Sequence, residues 1–328
     1  MSDSRQKFSA ASKIDVPSEY EYEMDDILSK WSREIDGVFI PKKFTSIQEK
    51  ITQWDVNDDD IWICSFPKTG TTWTQEMVWL IVNDLDFKGA EKNLLKRSPQ
   101  LEATALVRYP HVKFFKPFIP APITDSLKYV RKQRSPACIK THLPWNLLPR
   151  EIQKDIKRPK IIYISRNPKD TCISYFHFSR MVKDFDGNLE EFANLFLAGK
   201  VNFAPFWNHV LPYWRRRNQE NILFLKYEEM KTDLPAVIRK TATFLGKELT
   251  ERQIQVLAEH LSFENMKNNP AVNYDWLVTL SNMYKRDKKH AFMREGKVGN
   301  YKSHMSSEMI EQFDRWTEDN TKDTGLTY

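Results

Sequence analysis

Three cations, Lys68, Lys140 and Arg166, one histidine, His142, and one phenol, Tyr227, are the side chains whose types and settings could do chemistry together. Lys68 sits in Pro67-Lys68-Thr69-Gly70-Thr71-Thr72-Trp73, directly after the apolar run 61–64, which has the length and β-branched content of a strand covered on both faces. Thr72 with Gln75 three positions on makes a capping-box pattern. It predicts a helix carrying Trp73, Met77, Leu80 and Ile81, with free N–H groups and dipole facing an anion. Strand, phosphate-sized turn and helix in succession announce a phosphate site. A full ATP-type loop would have Gly at its first position and Lys directly after its second Gly. Here Lys68 precedes Gly70 by two, so ordinary ATP chemistry is not the expectation.

The elements that must position these groups read as an α/β pattern: strands at 61–65, 137–142, 161–165 and 222–227, alternating with helices such as 234–245, which ends before Gly246. The fold class expected is α/β, a single domain with a central parallel sheet flanked by helices and a P-loop-like strand, loop and helix. Lys68 follows the first run, Lys140 and His142 close the second, Arg166 follows the third and Tyr227 ends the fourth. All lie at strand carboxyl ends, the edge where open parallel sheets bind ligands. Pro168 in Arg166-Asn167-Pro168-Lys169-Asp170 belongs at a first helical position, which predicts a helix over 171–178 with Arg166 at its mouth. A second anion site there competes with a plain helix-capping role for Arg166. Two of the nine glycines fall in Arg294-Glu295-Gly296-Lys297-Val298-Gly299, a basic loop that could wrap a phosphate through backbone N–H groups, or simply turn.

At 328 residues, 41% hydrophobic, with 10 Trp, 12 Tyr and 20 Phe, the chain can bury a sizeable core. A net charge of +6 without long basic clusters suits small anionic ligands and argues against a nucleic-acid surface. Cys64, Cys138 and Cys172 form no metal-ligand spacing and read as buried, reduced thiols, which favours the cytoplasm. Residues 1–25 read as an N-terminal extension, flexible in part, with neither a signal peptide nor a membrane anchor, and residues 26–328 as the folded domain. The acidic run Asp58, Asp59, Asp60 lies at the amino end of its strand and reads as a solvated turn, and no metal is expected. His111, His177, His209, His260, His290 and His304 read as surface or packing residues.

From about Phe39 to the C-terminal helix the chain resembles the cytosolic sulfotransferases, whose motifs occur here in family order. Their 5′-phosphosulfate loop matches residues 67–73, with Thr69 where many members have Ser. Their 3′-phosphate segment matches 166–170 through Ser174. Lys140-Thr141-His142-Leu143-Pro144 matches the catalytic stretch, Tyr227-Glu228-Glu229-Met230-Lys231 the adenine side, and Arg294-Glu295-Gly296 the C-terminal loop. The resemblance implies the donor 3′-phosphoadenosine 5′-phosphosulfate (PAPS) and the product adenosine 3′,5′-bisphosphate (PAP), with a small-molecule hydroxyl as acceptor. It implies His142 as general base, Lys68 on the departing phosphate oxygen and Lys140 on the transferring sulfonate. Thr69, Gly70, Thr71 and Thr72 would form the loop. Arg166, Ser174 and Gly296 would hold the 3′-phosphate, Trp73 and Phe263 would sandwich the adenine, and Tyr227 would bond its edge. Ser262, Met266, Phe292, Met293, Arg294 and Glu295 complete the nucleotide-binding set carried over. A sulfonate carries less charge than a phosphoryl group, so lysines and loop N–H groups can stand where phosphoryl transfer uses magnesium.

Phe114, Phe115, Phe118, Tyr175, Phe178 and the segment 274–284 could line an apolar acceptor pocket or the core, leaving phenol, steroid, retinoid and catechol acceptors open. A small-molecule or nucleotide kinase, a sulfonation-driven dehydratase and a nucleotide-binding module without chemistry stay as alternatives. The family's short dimer motif runs Lys, Thr, Val, Glu; the chain has Lys302, Ser306, Ser307 and Glu311, which implies a monomer or weak homodimer. Glu295 stands where many relatives carry Lys and is expected to turn outward.

Overall fold

A computed structural model describes residues 31–106, 120–182, 185–275 and 292–328. Ser32–Ile35 (β1) and Val38–Pro41 (β2) pair as a hairpin. The central sheet contains Ile61–Ser65 (β3), Cys138–Thr141 (β4), Lys160–Ser165 (β5) and Ile222–Lys226 (β6), in the order β4-β3-β5-β6 with every pairing parallel. The register sets Cys64 beside Thr141, Ser65 beside Ile164 and Ser165 beside Lys226, so all four strands end together on one edge.

Strand side chains alternate between two buried faces, which is why the runs look continuously apolar in sequence. Trp62, Cys64, Ile161, Tyr163, Ile222 and Phe224 enter one core, and Ile61, Ile63, Ile162, Ile164, Leu223 and Leu225 the other. The second face is covered by Thr71–Val82 (α1), which contributes Met77, Val78 and Ile81, and by Leu234–Leu245 (α5), which contributes Val237 and Ile238. The first is covered by Pro168–Met181 (α2), Leu189–Leu197 (α3), Phe206–Arg215 (α4) and Ser307–Thr321 (α6). Its aromatic centre is Phe196, whose ring packs against Phe66 at 5.8 Å, Phe206 at 5.5 Å, Phe313 at 5.8 Å and Trp316 at 6.1 Å. Phe66 opens the loop after β3, so this cluster supports the loop from below.

The four expected strands all form: the first as expected, the third starting one residue earlier at Lys160, and the second and fourth with trimmed ends. His142 leaves the ladder because its N–H donates to the Glu102 carboxylate at 2.8 Å instead of to a neighbouring strand, and Tyr227 opens the short helix Tyr227–Thr232. The Thr72/Gln75 capping box does not form. Gly70, at φ 109°, is the cap residue of α1, and the Gln75 amide instead donates to the Ser98 carbonyl at 2.8 Å. α2 starts at Pro168 as expected but runs on to Met181, capped by the Asn167 side chain, which accepts from the Lys169 N–H; Arg166 is not its cap. Asp58 and Asp60 do more than face solvent: Asp58 accepts from the Arg158 N–H at 2.7 Å and Asp60 from the Ala137 N–H at 2.9 Å, tying the starts of the strands together. Cys64, Cys138 and Cys172 are buried free thiols, and burial pushes Cys138 up to about 12. No helix among the described residues is long and apolar enough to cross a membrane.

Because Phe196 fills the space between the loop-bearing Phe66 and α6, Phe196→Ala should lower stability by about 3–5 kcal/mol through the cavity it leaves. Phe196→Leu should cost clearly less, and equilibrium denaturant unfolding of both variants checks the ranking.

Candidate active site

The loop after β3 is built from its own hydroxyls. Ser65 Oγ lies 2.7 Å from Thr71 Oγ1, and the Thr69 hydroxyl faces the Phe66 carbonyl at 2.8 Å and the Ile164 carbonyl at 3.0 Å. Lys68 has φ 71°, a strained value for a residue with a side chain, and Gly70 has φ 109°, which glycine adopts freely; together they turn the loop. A Cβ on Gly70 would come 2.8 Å from the Tyr227 ring, so only glycine lets the loop lie against that ring. Lys68 Nζ points inward between the rings of Phe292, at 4.1 Å, and Phe178, at 4.7 Å. Burial, then the charges of Lys140, Arg166 and Arg294, bring Lys68 down to about 7.

At the end of β4, His142 Nδ1 lies 2.8 Å from the Ser65 carbonyl oxygen. A carbonyl can only accept, so Nδ1 carries the proton and Nε2 keeps its lone pair. Nε2 has no hydrogen-bond partner among the described residues, and the ring lines the main cavity. Burial and the charge of Lys140 hold His142 well below its ordinary value, so it is neutral at physiological pH. Its peptide is held from both sides. The N–H donates to Glu102, and the carbonyl accepts from His209 Nε2 at 2.9 Å, whose Nδ1 faces the Tyr163 hydroxyl at 2.8 Å. Tyr213 likewise donates to the Leu143 carbonyl at 3.0 Å. Burial brings Lys140 down to about 8, opposed by the charge of Glu102.

At the end of β5, the Arg166 guanidinium lies over the Tyr227 ring at 4.3 Å and donates to the Lys297 carbonyl at 2.8 Å. Asp170, in the first turn of α2, accepts from the Gly299 N–H at 2.7 Å and the Tyr301 N–H at 3.0 Å, anchoring the C-terminal loop over the sheet edge. Trp73 meets Tyr227 edge-on with centroids 5.6 Å apart. Gly296 lies against Phe263, where a Cβ would come within 2.4 Å of the ring. Arg166 Nε, Arg294 Nη1 and Trp73 Nε1 are buried without a hydrogen-bond partner. Unspent donors on two guanidinium groups, among four converging cations, fit a ligand with more than one phosphate group.

One cavity of about 610 Å³ gathers most of the expected residues. Lys68, Gly70, Thr71, Thr72 and Trp73 line it from the loop and α1, Lys140 and His142 from β4, and Arg166 and Ser174 from β5 and α2. Tyr227, Phe263, Met266, Phe292, Met293, Arg294 and Gly296 close the remaining wall. Thr69, Ser262 and Glu295 do not line it. Thr69 is spent on the loop, Ser262 caps a short helix by accepting from the Asn265 N–H, and Glu295 is exposed, 3.8 Å from Arg294. Tyr175 and Phe178 line the apolar half beside Pro41, Leu106, Ile123 and Phe203. Phe114, Phe115, Phe118, Tyr284, His111 and His290 lie outside the described residues. No group of three or more His, Cys, Asp or Glu among the described residues could hold a metal ion. The sequence reading missed Glu102 and the structural role of His209; the bond from His209 spans 67 positions and leaves no local pattern.

Against known proteins, the family model described as "Sulfotransferase domain" matches residues 58–325. Luciferin sulfotransferase of Photinus pyralis is 46% identical over 276 residues, covering 84% of this chain and 75% of that protein. Amine sulfotransferase of Oryctolagus cuniculus is 35% identical, covering 86% and 87%. A solved structure of retinol dehydratase with retinol and PAP superposes with a TM-score of 0.82 at 30% identity, covering 95% of this chain and 97% of that one. A second retinol dehydratase structure, with androsterone and inactive cofactor PAP, gives the same TM-score of 0.82.

Since burial and then the neighbouring cations bring Lys68 down to about 7, phosphate anions placed beside it should restore its proton. Binding of PAP at about pH 7.5 should therefore take up roughly half a proton or more. Calorimetry in two buffers of different ionisation enthalpy measures the uptake, and Lys68→Met should remove most of it.

Proposed function

The chain belongs to the sulfotransferase family, and on that premise we propose transfer of a sulfonate group from PAPS to the hydroxyl of a small, largely apolar acceptor, with His142 as general base. One observation carries the reading: a neutral histidine with a free Nε2 faces the same cavity as Lys68, Lys140, Arg166 and Arg294. The donor supplies an activated sulfonate, whose bond from sulfur to the 5′-phosphate oxygen breaks as the acceptor oxygen bonds to sulfur. His142 Nε2 takes the acceptor's hydroxyl proton. Lys68 faces the departing phosphate oxygen and Lys140 the transferring group, each as a preset charge. Arg166, Ser174 and the loop at Gly296 hold the 3′-phosphate, while Trp73, Phe263 and Tyr227 enclose the adenine. Glu295, exposed and 3.8 Å from Arg294, and Asp170 line the smaller pocket beside that phosphate site.

The apolar wall formed by Tyr175, Phe178, Leu106, Ile123 and Phe203 favours neutral phenols, steroids or retinoid alcohols. A second reading, net dehydration of an alcohol after sulfonation, is favoured by the likeness to retinol dehydratase. Labelled PAPS with a panel of phenols, sterols and retinoids separates them: a sulfate ester gains the label, and a dehydrated product loses water without it. Magnesium-dependent phosphoryl transfer in the same assay would replace both with a kinase.

His142→Ala should lower kcat by roughly 10²–10⁴ while PAP affinity stays near that of the wild type. In the wild type kcat/KM should fall as pH rises through the values of Lys68, about 7, and Lys140, about 8, because each acts in its protonated form. Steady-state kinetics with calorimetry decides both. Lys302, Ser306, Ser307 and Glu311 are exposed, and the apolar position of the dimer motif is filled by Ser307, which supports a monomer or weak dimer. Sedimentation should show dissociation at nanomolar protein; a dimer stable there and abolished by Lys302→Ala with Glu311→Ala would refute it.

A further inference from the structure

Glu102 belongs to none of the motifs that pointed to the site, yet it is fully buried and its carboxylate reaches the residues around the catalytic stretch. Its backbone is placed by the sheet. Lys140 donates its N–H to the Pro99 carbonyl at 3.0 Å and accepts from the Leu101 N–H at 2.9 Å, and Gln100 bridges to Lys140 in parallel. The segment before Glu102 is thus bridged to β4 at one residue, and is held at its start by Gln75 of α1 through the Ser98 carbonyl. From this rung Oε1 accepts from the His142 N–H at 2.8 Å and the Gln100 amide at 2.5 Å, and Oε2 faces Thr141 Oγ1 at 2.9 Å. Thr141 Oγ1 itself accepts from the Leu143 N–H at 3.1 Å, which leaves its own proton for Glu102. A carboxylate with three donors aimed at it in a sealed interior is an arrangement built for a charge.

We propose that Glu102 is a positioning residue for the transfer reaction, fixing the peptide that carries His142 and supplying the negative charge that complements Lys140. The proposal rests on the sulfonate-transfer reading above. Burial pushes the Glu102 carboxyl up, and the Gln100, His142 and Thr141 donors oppose it. Its charge also reaches Cys64 and Tyr213, but burial carries both far above the working range, so Lys140 is the group through which Glu102 acts on pH dependence. Lys140 in turn faces Lys68 and His142, whose charged forms its own charge disfavours. Loss of the Glu102 charge therefore lowers Lys140 further, and the alkaline fall in activity moves to lower pH. A purely structural Glu102 would not move it.

The test compares Glu102→Gln and Glu102→Asp with the wild type in the labelled-PAPS assay across pH, with PAP affinity measured alongside. Glu102→Gln should lower kcat on the order of 10²-fold, as expected of a misplaced reacting group, and shift the alkaline limb of kcat to lower pH with PAP affinity nearly unchanged. Glu102→Asp keeps the charge but is too short for both sets of donors; it should lose kcat while its alkaline limb stays in place. If neither variant binds PAP, Thr141→Val, which keeps the strand shape and deletes one donor to Glu102, should lower kcat at unchanged PAP affinity, and unchanged kcat there overturns the proposal. A Glu102→Gln enzyme with wild-type kcat, or with reduced kcat and an unmoved alkaline limb, also overturns it. Absence of product from the wild type overturns the reaction assigned to the site, a result distinct from loss confined to the variants.

Discussion

Like charges crowded at one edge of a parallel sheet are the constraint around which this molecule is arranged. Lys68, Lys140, Arg166 and Arg294 come from separate segments, and burial, reinforced by their mutual repulsion, drags Lys68 far from its ordinary range. A protein can keep such a cluster only if neighbouring groups hold it in place until an anion arrives. The means used here are indirect. Aromatic rings enclose Lys68 and support Arg166, Asp170 lies 3.9 Å from Arg166 while bonding the C-terminal loop, and Glu102 sits beneath Lys140 without entering the cavity. Glu102 stays behind the wall, whereas Asp170 and Glu295 face the smaller pocket beside Arg166 and Arg294. A cavity arranged this way presents positive charge to its ligand while the protein as a whole remains only mildly basic.

The chemistry beside the cations needs a base that stays neutral among them, and the same crowding provides it. Protonated imidazole would add another positive charge to the cavity, so His142 is held neutral by burial and by Lys140 before any substrate binds. The Ser65 carbonyl then selects the tautomer that leaves Nε2 free. Position and protonation state are thus both set by the ends of adjacent strands, β3 and β4.

The α/β order and the edge of the sheet were legible in sequence because buried parallel strands show as short apolar runs, and each functional residue directly follows one. The donor-side set from Lys68 to Gly296 was legible from motifs, and most of it meets in one cavity. Local patterns misled where a distant partner won. Gln75 could have closed a capping box but bonds Ser98, and Asp60 looked like part of a solvated turn but bonds the start of the neighbouring strand. Glu102 and His209 were missed because what they hold is the backbone of His142, and nothing in their own neighbourhoods marks a partner 40 or 67 positions away. Contacts to main-chain atoms carry no signature in the identity of the residue contacted.

That last point bears on which side chains in the roof of the nucleotide site are tied to it and which are not. Asp170 holds the segment from Gly299 to Tyr301 by two main-chain N–H groups, and Arg166 holds Lys297 by its carbonyl. None of these attachments reads a side chain of the loop. Gly296, which must lie against Phe263, and Gly299, at φ 78°, are tied to glycine, while the exposed side chains of Lys297 and Val298 can change without releasing the roof. The exposed Glu295 side chain takes no part in these attachments, which Asp170 and Arg166 make to backbone atoms alone.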